Sequence, residues 1–592
     1  MSKKMNYAKS ETLQEVYPLN YYKPNSIQLS DLSYPHSFFS DKQHLGESIQ
    51  QLQLYHPFYS TFFELNENNY NRIGLNHRYQ IKDLQTIMDT NNSYTISQDV
   101  FIKFSPLLDP IKYMVGKYDL SDSKLKTLPS FQSTKTECHE KLLSSANASY
   151  IDGFFYYLNS ILKNHHHFVH GIDFYGSYLG IQDRYKMNVE EDLEYLTNSS
   201  FFLSNVGKLM VLENVKEDQP PFTNSGSRGI RKKVNIEDST DPISSFDLGI
   251  VEFNDEILDE PSTIESSSSE LDLVYQKISS NKDSQNSSDS DSDIENDSDD
   301  ISLSDNENET NTEEDEKSPS DEDWETESNP SEDLDEPEAM VYIFDFPVQM
   351  ICLEKCSNTL DALFVQGISE EETCSALFQV IMILLVYQKM FQFTHNDLHT
   401  NNIMYIETTL PYLTYKYQDV MYRVPTYGRI FKIIDFGRSI YKYQKHVFCS
   451  DSFATGGDAA TQYNCEPFFK SSKPRLEPSM SFDLCRLGCS IYDFVFDDED
   501  ITKNEKMVKT ELQRTIQRWC TDSMGKNVLY KKNGQERYPG FRLYKMIART
   551  VREHTPENQL SDPWFLPFKM ADQDFSSMDQ DEIMNIDIYP TY

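Results

Sequence analysis

Basic side chains are in short supply: 54 Lys and Arg stand against 95 Asp and Glu in 592 residues, a formal net charge of −41. Neutralising a phosphate backbone needs clustered Lys and Arg, so this balance excludes direct nucleic-acid binding as the business of the whole chain. It favours a basic protein surface as partner. Paired cysteines at metal-binding spacing are missing too. None of the nine forms a CxxC…CxxC pattern, and the closest pairs, Cys352 with Cys356 and Cys485 with Cys489, fall in apolar segments that read as core. An odd cysteine count without a signal peptide favours reduced thiols in an intracellular setting, cytoplasm or nucleus. The opening "MSKKMNYAKSETLQEVY" holds no apolar core of signal length. The most apolar run, "IMILLVY" from Ile381 to Tyr387, falls far short of the ~20 residues a membrane span requires. The expectation is a soluble protein that does not engage membrane.

Acid is concentrated in one place. Asn281 to Glu338 carries 25 Asp and Glu against Lys282 and Lys317, a formal −23. From about Lys216 to Glu338 the chain is dominated by Ser, Asp, Glu and Asn, which cannot bury enough apolar surface to offset the entropy of ordering. The expectation there is a disordered acidic insert. Its Ser-x-x-acidic sites, as in "SLSDNE" and "SPSDED", are candidate targets of an acidophilic kinase.

Outside that insert the pattern is globular, and the length exceeds what one hydrophobic core usually serves, so two lobes are expected. Residues 1–96 read as an N-terminal globular extension rich in aromatic clusters. In Ser97–Leu108, Val100, Ile102 and Phe104 alternate with Phe101 and Lys103 as in a strand. Tyr150, Phe154, Tyr157, Leu158 and Ile161 mark one face of a helix, and "HFVHGIDFYGSYLG" reads as the next strand. The triplet His165-His166-His167 reads as a solvated loop, since consecutive residues do not converge on one ion. Leu377, Val380, Ile381, Leu384 and Leu385 mark a buried helix ending just before His395. "RIFKIIDFG" is strand-like, and Ser481–Phe496 reads as another buried helix.

The chemistry is concentrated in "FTHNDLHTNNIMY", Phe393 to Tyr405, which follows that buried helix. Phosphoryl transfer needs a carboxylate at the acceptor hydroxyl, oxygen ligands for Mg²⁺ and a cation on the nucleotide phosphates. Asp397, Asn402 five residues on, and Asp435 in "IIDFG" supply the first two, each at the end of a buried element.

These residues resemble the protein-kinase superfamily. His395-Asn396-Asp397 is similar to the catalytic-loop His-Arg-Asp, and Asp435-Phe436-Gly437 to the metal-binding Asp-Phe-Gly. "VFIK", Val100 to Lys103, resembles the third-strand Val-Ala-Ile-Lys. "MICLEKCSNTLDALF" resembles the strand, hinge and helix where adenine docks, and "FDLCRLG" the helix whose Asp braces the catalytic loop. Five motifs in the right order are far more specific than any one of them. "DLH" with the 33-residue spacer from Asn402 to Asp435 resembles haspin-type kinases and divergent kinases of large DNA viruses.

The resemblance implies an α+β, two-lobed kinase-like fold. Its small lobe would run over 97–215 and 339–356, interrupted by the acidic insert at 216–338, and its helical large lobe over 357–592. It implies ATP and Mg²⁺ as cofactors and Ser/Thr phosphorylation of a protein substrate. Asp397 would be the base, with His399 beside it in place of the usual lysine, either orienting phosphate or bonding to backbone. Asn402 and Asp435 would hold Mg²⁺, and Lys103 the α- and β-phosphates. Leu353 would be the gatekeeper, with the backbones of Glu354 and Cys356 pairing with adenine. Asp483 would accept hydrogen bonds from the catalytic-loop backbone, and His395 would pack.

The helix after Lys103 offers no Glu on its inward face; Asp152 is the candidate ion-pair partner, with Glu137 and Glu140 as alternatives. Asn396 stands where an arginine usually receives an activation-loop phosphate, so no switching by that route is expected. No Gly-rich loop precedes Lys103, since "NRIGLNHRYQ" holds one glycine. Two rivals share the fold: a small-molecule kinase, favoured by "HNDLH", and a non-catalytic pseudokinase scaffold binding a basic partner.

Overall fold

The computed structural model describes residues 49–190, 192–213, 339–496, 510–531, 534–571 and 583–592. The acidic insert and the first half of the N-terminal extension lie outside the described residues. The described part is a mixed α+β assembly belonging to a single compact unit.

Five strands form the principal sheet. β1 (Ile49–Gln53), β5 (Val100–Pro106), β6 (Phe174–Asn188) and β8 (Met340–Glu354) take the order β1-β6-β8-β5, with the short β7 (Met210–Glu213) also on β8; every pairing is antiparallel. In β5 the predicted alternation sets the faces. Val100 and Ile102 turn one way to join Ile81, Ile87, Tyr178, Met350 and Cys352 in a small apolar cluster. Phe101 and Lys103 turn the other way, opposite Leu353 and Ile351 of β8.

The small cluster explains the missing glycine loop. A three-stranded meander of β2 (Tyr79–Asp83), β3 (Thr86–Asp89) and β4 (Thr95–Ser97) packs its isoleucines on the sheet face opposite Lys103. A strand pair used in this way needs alternating apolar residues, not glycines.

The Lys103 face of the sheet carries α1 (Ala148–His166). Asn147 caps it by accepting from Ser149 N–H, and His167 closes it in the left-handed region at φ 56°. His165 and His166 therefore belong to the last turn of a helix, which corrects the expected loop. Burial is continuous from Ser149 to Leu162, so α1 is buried all round and not on one face. At Gly153 a Cβ would lie 2.2 Å from Gln349 Nε2, the end of a buried side chain that would have to move to admit any other residue.

After β8 come β9 (Asn358–Thr359), α2 (Leu360–Val365) and the 22-residue α3 (Glu370–Phe391), whose N-terminus carries a Ser369/Glu372 capping box. α3 is long and apolar enough to cross a bilayer, with mean hydropathy 1.6, but 89% of that stretch is buried within the protein. It serves as the core helix. Phe155 of α1 packs on Phe391, Phe393 and Phe436, joining α1, α3 and the segments that follow α3 into one aromatic core.

The 32 residues between Asn402 and Asp435 fold into two antiparallel pairs. β10 (Ile403–Glu407) pairs with β13 (Arg429–Ile433), with Ile403 opposite Ile433. This register turns a long separation in sequence into contact. The intervening residues form a hairpin of β11 (Tyr412–Tyr417) and β12 (Val420–Pro425), and β16 (Ile583–Asn585) adds to β11 in parallel. β14 (Ile440–Tyr443) and β15 (His446–Cys449) follow Gly437. Three helices, α4 (Phe482–Val495), α5 (Glu511–Trp519) and α6 (Arg542–Thr550), pack beyond them.

Candidate active site

The segment after α3 is held from both sides. Thr394 and Ile440 exchange backbone hydrogen bonds of 2.9 and 3.0 Å, tying it to β14. Asp483, in the first turn of α4, accepts from the backbone N–H groups of His395 and Asn396, each at 2.9 Å. Asn396 sits in the left-handed region at φ 66°, a conformation Asn tolerates better than most residues. Its amide donates to Thr394 Oγ1 and Arg438 O and accepts from the Tyr463 hydroxyl. Asn396 is thus fully buried and knitted into the loop, far from the surface role of an arginine. His395 packs under the loop: Nε2 donates to Ile434 O at 2.9 Å and Nδ1 accepts from Asp397 N–H at 3.3 Å.

Asp397 is surrounded by donors. The Tyr544 hydroxyl of α6 donates to Oδ1 at 2.7 Å, Arg438 lies 3.4 Å from Oδ2, and Arg486 of α4 lies 4.0 Å from Oδ1. Arg438 also pairs with Asp458. Burial opposes ionisation of Asp397, but Arg438, His399, Arg486 and the Tyr544 hydroxyl outweigh it and hold the carboxyl at about 2. The carboxylate is therefore permanently charged near neutrality.

Asn402 donates to Asp397 O at 3.0 Å and to His399 Nε2 at 3.0 Å, so the side chains of His399 and Asn402 face each other. One nitrogen of the His399 ring, Nε2, is thus engaged by the Asn402 side chain. Asn402 O accepts from Ile434 N–H, which places Asn402 beside the turn that begins at Asp435.

Lys103 meets that turn. Its Nζ lies 2.9 Å from Asp152 Oδ2 and 2.9 Å from Asp435 Oδ1. Asp152 is therefore the partner among the three carboxylates considered. Glu140 instead pairs with Lys135 at the surface, and Glu137 bonds to Thr134. Burial works against the Lys103 charge, but the two carboxylates drive its pKa well above the ordinary lysine value. Burial and the neighbouring Asp435 push Asp152 up, while Lys103 overcomes burial to hold Asp435 down.

Asp435 is in the left-handed region at φ 62°, a strained conformation for an Asp. Two bonds fix it: Asp435 N–H donates to the Tyr156 hydroxyl at 2.9 Å, and Phe436 N–H to Asp152 Oδ1 at 2.7 Å. Asp152 thus binds the lysine with one oxygen and the turn with the other.

At the end of β8, Leu353 is buried opposite Phe101 and Phe174. Glu354 N–H donates to Asp173 O at 2.9 Å, so that donor is already used. Its carboxylate joins a buried cluster with Lys163 at 2.8 Å and Lys432 at 3.0 Å; burial opposes its charge, and the two lysines bring its pKa down to about 2. Cys356 is half-buried, and burial pushes its thiol up to about 12, which leaves it unreactive.

The arrangement brings Lys103, Asp152 and Asp435 into one contact, and Asp397, His399 and Asn402 into another, with Asn402 joined to the turn before Asp435. Among the described residues no group of three or more His, Cys, Asp or Glu could hold a metal ion unaided. Asp435 and Asn402 offer a carboxylate and an amide oxygen, a donor set that suits a hard cation completing its shell with phosphate and water. Arg438, Arg486, Tyr544 and Tyr156 escaped the reading of the sequence. Arg438 follows Gly437 directly and Arg486 lies three residues after Asp483, on the same helix face, so both carried a positional signal. Tyr544, 147 residues from Asp397, carried none.

Neither the models of known protein families nor the curated proteins compared with the chain give a match.

Proposed function

We propose that this chain is a phosphotransferase of the protein-kinase superfamily, using Mg²⁺ and ATP. Within that class we assign it as a protein kinase acting on Ser or Thr. The observation that carries the reading is the double engagement of Lys103 by Asp152 and Asp435 beside a permanently ionised Asp397 and its neighbour Asn402.

In this reading the principal sheet with α1 is the small lobe, and the helices from α3 onward are the large lobe. Leu353 borders the adenine, and with the Glu354 N–H occupied, the Glu354 carbonyl and the Cys356 backbone are left to pair with it. Lys103 binds the α- and β-phosphates, and Asp435 with the Asn402 amide oxygen would hold Mg²⁺. The metal supplies charge neutralisation across the phosphates. Asp397 accepts a hydrogen bond from the acceptor hydroxyl and aims its oxygen at the γ-phosphorus. A new P–O bond forms as the bond to ADP breaks, and the hydroxyl proton passes late to Asp397, consistent with a carboxylate of low basicity. His399, bonded to Asn402, keeps the metal ligand and the base in register.

The test is Mg²⁺-dependent transfer of labelled γ-phosphate to a panel of proteins and small-molecule acceptors, comparing wild type with Asp397→Asn and Asp435→Asn. Wild type is expected to label protein, and loss of the base to cost roughly 10²–10⁴ in rate. Labelling of a small molecule alone would move the assignment to a small-molecule kinase. Silence of all three, together with failure to bind ATP, would overturn the phosphotransferase reading.

A further inference from the structure

The helix that reaches Asp397 gathers charge of the sign that is in short supply in the chain. α6 places Tyr544 on the carboxylate, and Arg542, Lys545 and Arg549, at i, i+3 and i+7, share one stripe of the same helix. Arg542 and Arg549 are exposed, and Lys545 is half-buried. Arg549 donates to Thr461 O at 3.1 Å, which ties this stripe to the segment that follows β15. That segment contributes Lys473, exposed and close enough to act electrostatically on Lys545. Burial lowers the pKa of Lys545, and the charges of Arg549, Lys473 and Arg542 lower it further. Arg438 and Arg486 lie further in and are already engaged, both by Asp397 and Arg438 also by Asp458.

Like charges gathered on one face are costly unless an anionic partner offsets them, and in a chain of net charge −41 they are not the product of composition. We infer that the basic stripe of α6 with Lys473 is a docking surface for the acceptor, and that the acceptor is a Ser or Thr in a polypeptide stretch rich in Asp and Glu. The inference rests on the phosphotransferase reading for the role of acceptor, not for the binding. It reverses the expectation of a basic partner on this side of the site. The steering is electrostatic, so recognition weakens with ionic strength.

The probe is an isotope-labelled peptide copying residues 299–316, "DDISLSDNENETNTEEDE", a sequence of the required chemistry. It is coupled to the full-length protein with a zero-length carboxyl-to-amine reagent, and the modified lysines are identified by mass spectrometry. Coupling is expected at Lys473 and Lys545, to be lost at high salt, and to fall about tenfold in Arg542→Glu/Arg549→Glu. Arg542→Gln/Arg549→Gln, milder at two exposed positions, is expected to show a smaller fall and guards against a folding defect. Coupling elsewhere, no coupling, or coupling unchanged in both variants overturns the inference. So does complete displacement of the peptide by an equimolar single-stranded oligonucleotide, which would make the surface a nucleic-acid site, or by a Lys-rich peptide. Transfer of labelled phosphate to the probe is read separately. Capture without transfer leaves the docking surface standing and tells against the phosphotransferase reading.

Discussion

The Tyr544 hydroxyl donates to Asp397 Oδ1 at 2.7 Å, joining α6 to the acidic centre of the site across 147 residues of sequence. Arg438, His399 and Arg486, together with this hydroxyl, outweigh burial and hold Asp397 at about 2, against an ordinary Asp value of about 3.9. A depressed folded-state value gives stability that is fully present above the ordinary value and is lost as pH falls through about 2. The expected kcat/KM profile of the wild type therefore shows no acid limb from Asp397 between pH 5 and 8. Removing the nearest guanidinium with Arg438→Gln should raise the carboxyl and bring an acid limb toward the measured range, while Tyr544→Phe should shift it less. An identical pH profile in all three would show that these donors do not tune Asp397.

Asp152 carries two loads, one oxygen on Lys103 and the other on Phe436 N–H. Removing one partner of a buried pair typically costs about 3–5 kcal/mol; because Asp435 still engages Lys103, Asp152→Ala should fall near the low end, about 3 kcal/mol. Asp152→Asn keeps an acceptor for Phe436 and should lose less stability but still weaken Mg²⁺-dependent ATP binding. Chemical denaturation together with ATP titration separates the two effects. Equal stability losses for Ala and Asn would mean that the Phe436 bond contributes nothing.

What could be read from the residues was whatever lay within one element or one motif. The alternation of β5 placed Lys103, and the absence of a Glu on the inward face of the following helix put Asp152 first among three candidate partners, because both faces follow from local period. Asp483 was legible only through the likeness of "FDLCRLG" to a helix whose Asp braces such a loop. The all-round burial of α1 was not, since Asp152, Asn159 and Ser160 look like a polar face until their buried partners are known. The same holds for Glu354. The motif assigns a role to its backbone alone, and only the tertiary fold brings Lys163 of α1 and Lys432 of β13 onto its carboxylate. The meander before Lys103 reads as a failed glycine loop, whereas it is a well-formed cover for the opposite sheet face.

Asp483 is fully buried, and its carboxylate accepts two backbone N–H groups from the loop that carries Asp397. Bonds to a charged group contribute about 1.5–3 kcal/mol each, and an orphaned buried donor costs about 1–3 kcal/mol. Asp483→Asn presents one carbonyl oxygen where two oxygens served, so it should lose about 2 kcal/mol and lower kcat more than it raises KM for ATP, because the loop and not the nucleotide pocket is loosened. Steady-state kinetics with a thermal melt checks this. A change confined to KM for ATP would place the effect of Asp483 elsewhere.

Lys432 has no exposed side-chain surface, yet it carries a charge toward Glu354 and donates to Gly171 O at 2.6 Å and Val169 O at 3.3 Å. Its loss leaves Glu354 with Lys163 alone and orphans two carbonyls in the turn between α1 and β6. Lys432→Met, which preserves volume, should therefore destabilise by about 3–5 kcal/mol, the range for breaking a buried pair. The pH dependence carries the opposite check. Glu354, held at about 2 by the lysines against burial, contributes stability that is full above its ordinary value of about 4.3 and lost as pH falls from there through about 2. In Lys432→Met that value should rise, so the difference in stability between wild type and variant should be large at pH 7 and should shrink as pH is lowered toward 4. Urea unfolding at both pH values measures it. A difference that stays constant with pH would show that the carbonyl bonds of Lys432, and not its pairing with Glu354, account for its effect.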